Sequence, residues 1–133
     1  MSVQNTTLKQ DATGITVVGG TDLAFTPDGD DVKNGIHLHA ADVFDFRVRP
    51  NMTLTNKKAA MQADGDFSKA RLKLVGVYPK VLASGKTVYP LFRLEVETHP
   101  EQTEAEVDSM LNMAAQCPAN AALLPFFKTG DLS

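Results

Sequence analysis

Three stretches of the chain alternate apolar and polar residues, and each runs into a proline: FDFRVRP (residues 44–50), FSKARLKLVGVYP (67–79) and TVYPLFRLEVETHP (87–100). A period of two is the period of a strand, whose side chains point to opposite faces in turn. In the first stretch Phe44, Phe46 and Val48 oppose Asp45, Arg47 and Arg49. In the second, Ala70, Leu72 and Leu74 oppose Lys69, Arg71 and Lys73; in the third, Phe92, Leu94 and Val96 oppose Arg93, Glu95 and Glu97. One apolar and one charged face per strand is the pattern of an antiparallel sheet covered on one side. The three strands are expected to stack their cations on the uncovered side, with Asp45, Glu95 and Glu97 as its acidic edge. Pro50 has no N–H and is expected to end the first strand as a ladder. NMTLTNKKAAMQ then continues past a kink, with Thr53 and Thr55 alternating against Met52 and Leu54.

The connections carry their own chemistry. ITVV and TDLAF flank Gly19-Gly20 and read as an opening hairpin. Pro27-Asp28-Gly29, Asn34-Gly35, Asp64-Gly65-Asp66 and Ser84-Gly85-Lys86 are turn signals. IHLHAA after Asn34-Gly35 is a further strand, with His37 and His39 on one face. The period changes after Pro100. In TEAEVDSMLNMAAQ, Val107, Met110, Leu111 and Ala114 recur at helical spacing, behind a capping box of Thr103 and Glu106. Cys117-Pro118 is expected to end this helix, and ANAALLPFFK reads as a short helix broken near Pro125. The class is therefore α+β: an antiparallel sheet with an N-terminal hairpin and C-terminal helices. A single domain over residues 1–133 divides into a hairpin region (1–34), the main sheet (35–99) and the helices (100–133).

A helix of about 14 residues is about 21 Å long and cannot cover a sheet of five or six strands. The bare apolar face, with Leu123, Leu124, Phe126 and Phe127 near the end of the chain, favours a homodimer in which one self-complementary patch covers another. The competing solution folds the N-terminal hairpin back over the sheet.

The formal net charge is −3, yet ten of the thirteen basic residues lie between Phe44 and Arg93, with only three acids among them. A basic centre between acidic flanks points to an anionic partner for the sheet. Chemistry is otherwise sparse. No phosphate-binding glycine loop, nucleophile elbow or paired-cysteine motif occurs, and the lone Cys117 excludes a disulfide framework. His37 and His39 are two imidazoles without a third ligand marked by spacing; Asp42 or Asp45 are the nearest candidates. The plain reading is a polar strand face, with no metal, no cofactor and no catalytic residue. No run of residues is long and apolar enough for a membrane span, and the expected setting is a reducing cell.

The order of elements resembles the coat proteins of the small single-stranded RNA bacteriophages, the levivirus type. TGITVVGGTDLAFTPDG resembles the family's opening hairpin and VKNGIHLHAAD its next strand. FDFRVR, KARLKLVGVYPK and YPLFRLEVETHP resemble its long strands, and TEAEVDSMLNMAAQCPANAALLPFF its final helix pair. The resemblance implies an intertwined dimer with one continuous sheet, each chain's helices lying across its partner. Val107, Met110, Leu111, Ala114, Leu123, Leu124, Phe126 and Phe127 would form that interface. It further implies an icosahedral shell assembled in the bacterial host cytoplasm, with the polar face turned toward the RNA genome. An RNA hairpin bound there would repress translation of the replicase.

On this reading the RNA-binding residues are Arg47, Arg49, Thr53, Thr55, Lys69, Arg71, Lys73, Tyr89 and Arg93. The match is uneven. Asp45 and Arg47 stand where the family has small hydroxyl or lysine side chains, and Tyr89 falls two residues before the family's stacking tyrosine, nearer Leu91. The rival reading is a dimeric cellular sheet module that binds nucleic acid without forming shells. A small enzyme using His37, His39 and Glu95 is the third.

Overall fold

The computed structural model describes residue 4, residues 6–10 and residues 18–132. The first strand of the expected opening hairpin, ITVV, lies outside the described residues except for Val18. The chain forms two compact units, one of residues 20–100 and one of residues 1–19 with 101–133.

The first unit is a sheet. Its strands are β1 (Phe25–Pro27), β2 (Gly35–Ala40), β3 (Asn51–Lys57), β4 (Ala70–Val77) and β7 (Leu91–Thr98), all antiparallel to their neighbours in the order β1-β2-β3-β4-β7. Between β4 and β7 the chain makes a small hairpin, β5 (Lys80–Val81) with β6 (Thr87–Val88). Its tip is the expected Ser84-Gly85-Lys86, where Gly85 takes φ 85° and Leu82 N–H reaches the Lys86 carbonyl at 2.8 Å. Asn34, at φ 58°, is the one non-glycine among the described residues with a positive φ. Its short amide side chain tolerates the left-handed turn that starts β2.

The registers sort side chains into two faces. His37, Thr53, Val75 and Arg93 form one row across β2, β3, β4 and β7. Thr55, Lys73 and Glu95 form the next row, and Lys57, Arg71 and Glu97 the one after. The opposite face carries Ile36, Leu54, Leu74 and Leu94 in one row and Leu38, Met52, Gly76 and Phe92 in another. The Phe92 ring lies over Gly76, where a Cβ would run into it. That apolar face is poorly covered: Phe92 is 56% exposed and Leu94 47%. Ala40 and Ala122 are the only buried hydrophobic residues among those described.

FDFRVR departs from the expectation. Residues 44–49 form no strand; they lie in the loop that joins β2 to β3. Asp45 holds a turn there: its carboxylate accepts the Arg47 backbone N–H at 3.0 Å, and its carbonyl accepts Val48 N–H at 3.1 Å. An aspartate that bonds its own backbone two residues on gives the chain a local alternative to a ladder. No ladder partner is left for the segment either, because β2 and β3 pair directly with each other. Pro50 accordingly precedes a strand instead of ending one. Its carbonyl accepts Ala40 N–H at 2.9 Å, and β3 starts at the next residue.

The second unit is helical. α1 (Glu104–Ala119) starts at Thr103, whose hydroxyl accepts Glu106 N–H at 3.2 Å, as the capping box requires. The helix runs through Pro118, which was expected to end it. One residue from the helix end, the proline removes a single hydrogen bond and leaves nothing beyond it to kink. α2 (Leu124–Thr129) has Pro125 in its first turn, so this proline starts the helix that it was expected to break. Gly130 closes it at φ 74°. Phe126 and Phe127 meet edge to face, their centroids 5.3 Å apart. The Gln116 side-chain amide clamps the N-terminal segment, donating to the Lys9 carbonyl at 2.9 Å and accepting Lys9 N–H at 2.8 Å. Asn120 donates to the Thr7 carbonyl at 2.8 Å. Neither helix contains a fully buried residue, and among the described residues no helix is long and apolar enough to cross a membrane.

Candidate nucleic-acid interface

The polar face of β3, β4 and β7 gathers five of the expected residues: Thr53, Thr55, Arg71, Lys73 and Arg93. Lys57, which the sequence reading passed over, joins them opposite Arg71. The signal for it was present in NMTLTNK, where Thr53, Thr55 and Lys57 share one parity. The two threonines are half-buried, while Lys57, Arg71, Lys73 and Arg93 are exposed.

The acids of β7 divide these cations. Glu97 takes Arg71 Nε at 3.2 Å and Lys69 Nζ at 3.6 Å. Lys69, just ahead of β4, therefore belongs to the edge of the face. Lys57, Lys73 and Arg93 form no ion pair within 4 Å with a described residue. An exposed ion pair is worth at most about 1 kcal/mol, so an incoming phosphate can take Arg71 and Lys69 from Glu97.

Arg47, Arg49 and Tyr89 are corrected in position: none lies on a strand. Arg47 and Arg49 belong to the β2–β3 loop, and Tyr89 to the break between β6 and β7. Arg47 is engaged by Asp45, with Nη2 and Nε at 3.0 and 3.2 Å from its carboxylate oxygens. The guanidinium and the bonded backbone N–H hold the Asp45 carboxyl below its usual range. Arg47 is raised in return, chiefly by that carboxylate and to a smaller degree by Tyr89. A shallow, largely polar cavity of about 490 Å³ opens where Lys57, Lys69, Arg71, Glu97 and His99 meet the loop around Asp66 and Phe67. His99 Nε2 lies 3.5 Å from Asp66 Oδ1 there.

At the other end of the same face stand the two histidines of β2. The acids that meet His37 are Asp28 and Asp30, from the β1–β2 turn, and not Asp42 or Asp45. Asp28 is held below the usual carboxylate range, first by the Asp30 backbone N–H and then by His37. Cys117, in α1, is half-buried and donates its S–H to the Met113 carbonyl at 3.3 Å, the position of an ordinary helical thiol.

No protein-family model matches the chain, and no curated protein does. Solved structures do. The coat chain in the virus-like particle of bacteriophage GQ-907 is 30% identical and superposes with a TM-score of 0.92, over 99% of this chain and 100% of that one. The chain belongs to the levivirus-type coat-protein family. The levivirus-type fold is shared by two more distant structures. The virus-like particle of bacteriophage AVE019 matches at 8% identity, with a TM-score of 0.68 over 92% of this chain and 97% of that one. The particle of Beihai levi-like virus 21 matches at 16% identity and 0.63, over 88% and 93%. This coat protein is thus a capsid component of a phage virion, a structural protein and not an enzyme.

Proposed function

We propose that this coat protein forms a dimer through the long edge of its sheet, assembles those dimers into a closed shell in the host cytoplasm, and holds single-stranded RNA on the polar face inside it. The observation that supports the dimer is the state of β7. Among the described residues it is an edge strand of eight residues with no strand on its outer side, and its apolar side chains Phe92 and Leu94 are exposed. Such an edge is a template for another strand, and pairing two copies antiparallel makes one continuous sheet. The helical stripe of Val107, Met110, Leu111 and Ala114, followed by Leu123, Leu124, Phe126 and Phe127, is then the cover for the partner's apolar face. Leu111 is 41% exposed and Phe127 58%, so the stripe is itself in need of a partner.

The RNA reading rests on the polar face, where Lys73 and Arg93 stand beside Lys57 and Arg71 and are flanked by Thr53 and Thr55. Cations contact phosphates, while hydroxyls on a rigid sheet reach bases. Arg47, Arg49, Lys69 and Tyr89 extend this face from its edges. Recognition of one RNA hairpin, with translational repression, is the finer form of the same proposal. A cellular module that stays dimeric is disfavoured because the 30% identical relative, matched over 99% of this chain, comes from a virus-like particle.

Expression of the protein alone, followed by electron microscopy and nuclease protection, tests both parts. Closed particles holding protected RNA are expected, and particles of R71A/K73A/R93A should hold much less. Soluble dimers at every salt and concentration would refute the shell. Undiminished RNA in the triple variant would refute the site.

A further inference from the structure

The β1–β2 turn assembles a cluster that RNA binding does not use. His37 and His39 are two residues apart on β2 and share the polar face; Asp28 and Asp30 come from the turn. His37 Nδ1 touches Asp28 Oδ2 and lies 3.8 Å from Asp30 Oδ2. His39 Nδ1 lies 3.9 Å from the same Asp28 oxygen. The ligand atoms of Asp28, Asp30 and His37 all fall within 4.8 Å of one another.

The surroundings orient these atoms. Asp28 Oδ1 accepts the Asp30 backbone N–H at 3.0 Å, which turns Oδ2 toward the imidazoles. His37 Nε2 faces Asn51 Oδ1 at 3.4 Å. Whatever lies between His37 Nδ1 and the two carboxylates must be positive, a proton on the ring or a metal ion. His39 Nδ1 is shut off from solvent and has no hydrogen-bond partner among the described residues. A proton answers one nitrogen; a metal ion answers both nitrogens and both carboxylates together.

We propose that Asp28, Asp30, His37 and His39 bind a divalent transition metal of the zinc class. Two imidazoles with two carboxylates suit zinc, whereas calcium and magnesium take oxygen alone. Bonds of about 2.0–2.2 Å in a tetrahedron separate ligand atoms by roughly 3.4 Å, so the closer Asp28–His37 pair has to open and the 3.8 and 3.9 Å separations have to close around an ion. Asn51 is the outer partner that fixes the ring of His37. Asp28, His37 and His39 are mostly buried, while Asp30 is 72% exposed and marks the side by which an ion enters. The ion would staple the turn to strand β2 near the short edge of the sheet.

The test uses assembled particles stripped with a chelator, then titrated with zinc by calorimetry, with metal content measured after dialysis. About one zinc per chain is expected, with cobalt(II) giving the visible absorption of a tetrahedral site. H37A/H39A should lose binding, and H99A should bind as the unaltered protein does. Asp30→Asn, at an exposed position that leaves the fold intact, should weaken binding at least about tenfold. Substoichiometric zinc in the unaltered protein would overturn the proposal. So would unchanged affinity in Asp30→Asn, even if the histidine variants fail to assemble.

Discussion

The two faces of the sheet meet their surroundings in opposite ways. On the polar face some charges find partners within the chain, Arg71 and Lys69 sharing Glu97 and His37 meeting Asp28 and Asp30, while Lys57, Lys73 and Arg93 stand in water. On the apolar face Ile36, Leu72, Phe92 and Leu94 all remain exposed. Water accepts an exposed arginine at little cost, but burying a leucine or phenylalanine is worth about 1.5–3 kcal/mol. The polar face can stay in water as it stands, whereas the apolar face has a strong incentive to be covered, and the proposed dimer would supply that cover.

The strongest way to break this contrast is to make the faces alike. Leu94→Asp puts a charge in the centre of the apolar face, where a covered carboxylate would be left without a partner. It should abolish particles and leave slowly associating or aggregated chains in sedimentation velocity; normal particles would show that this face is not an interface. The next effect is smaller and lies on the polar side. Lys73→Ala should leave dimers and shells intact, weaken RNA binding uniformly across sequences, and lower the slope of log K against log salt by about one. An unchanged slope would remove Lys73 from the phosphate contacts.

The smallest effect belongs to the β2–β3 loop. The Asp45 carboxyl titrates below its usual range in the folded chain because of Arg47. Its contribution is thus complete above the unfolded value near 3.8 and is lost as pH falls through the lower folded value. Residues 44–48 should loosen in amide exchange in that acid range, and Asp45→Asn should remove the dependence. Equal exchange in both proteins would deny the turn its anchor.

Side-chain alternation makes most of the sheet legible in the sequence. ARLKLV and LFRLEV became β4 and β7 with the expected faces, and Thr53 and Thr55 fell on the expected side of β3. FDFRVR has the same alternation and became a loop. Periodicity reports which side chains would share a face if the segment were extended; it does not report whether a partner strand is available. Asp45 supplied a local bond that competed successfully, and Pro50 marked a beginning where an ending was expected. Prolines misled in the same way in the helical unit, at Pro118 and Pro125, because their effect depends on how much helix lies on either side. The Asp28–His37 contact was illegible for a different reason. It depends on the hairpin register of β1 against β2, which pairs Pro27 with Leu38, and spacing alone does not show that.

Ultraviolet cross-linking of RNA inside purified particles, with the attachment sites mapped by mass spectrometry, tests most directly the claim that the polar sheet face holds the genome. Cross-links are expected on the peptides that carry Thr53 to Lys57, Arg71 to Lys73 and Arg93. Cross-links confined to the α1 and α2 peptides, or spread evenly over the chain, would contradict it.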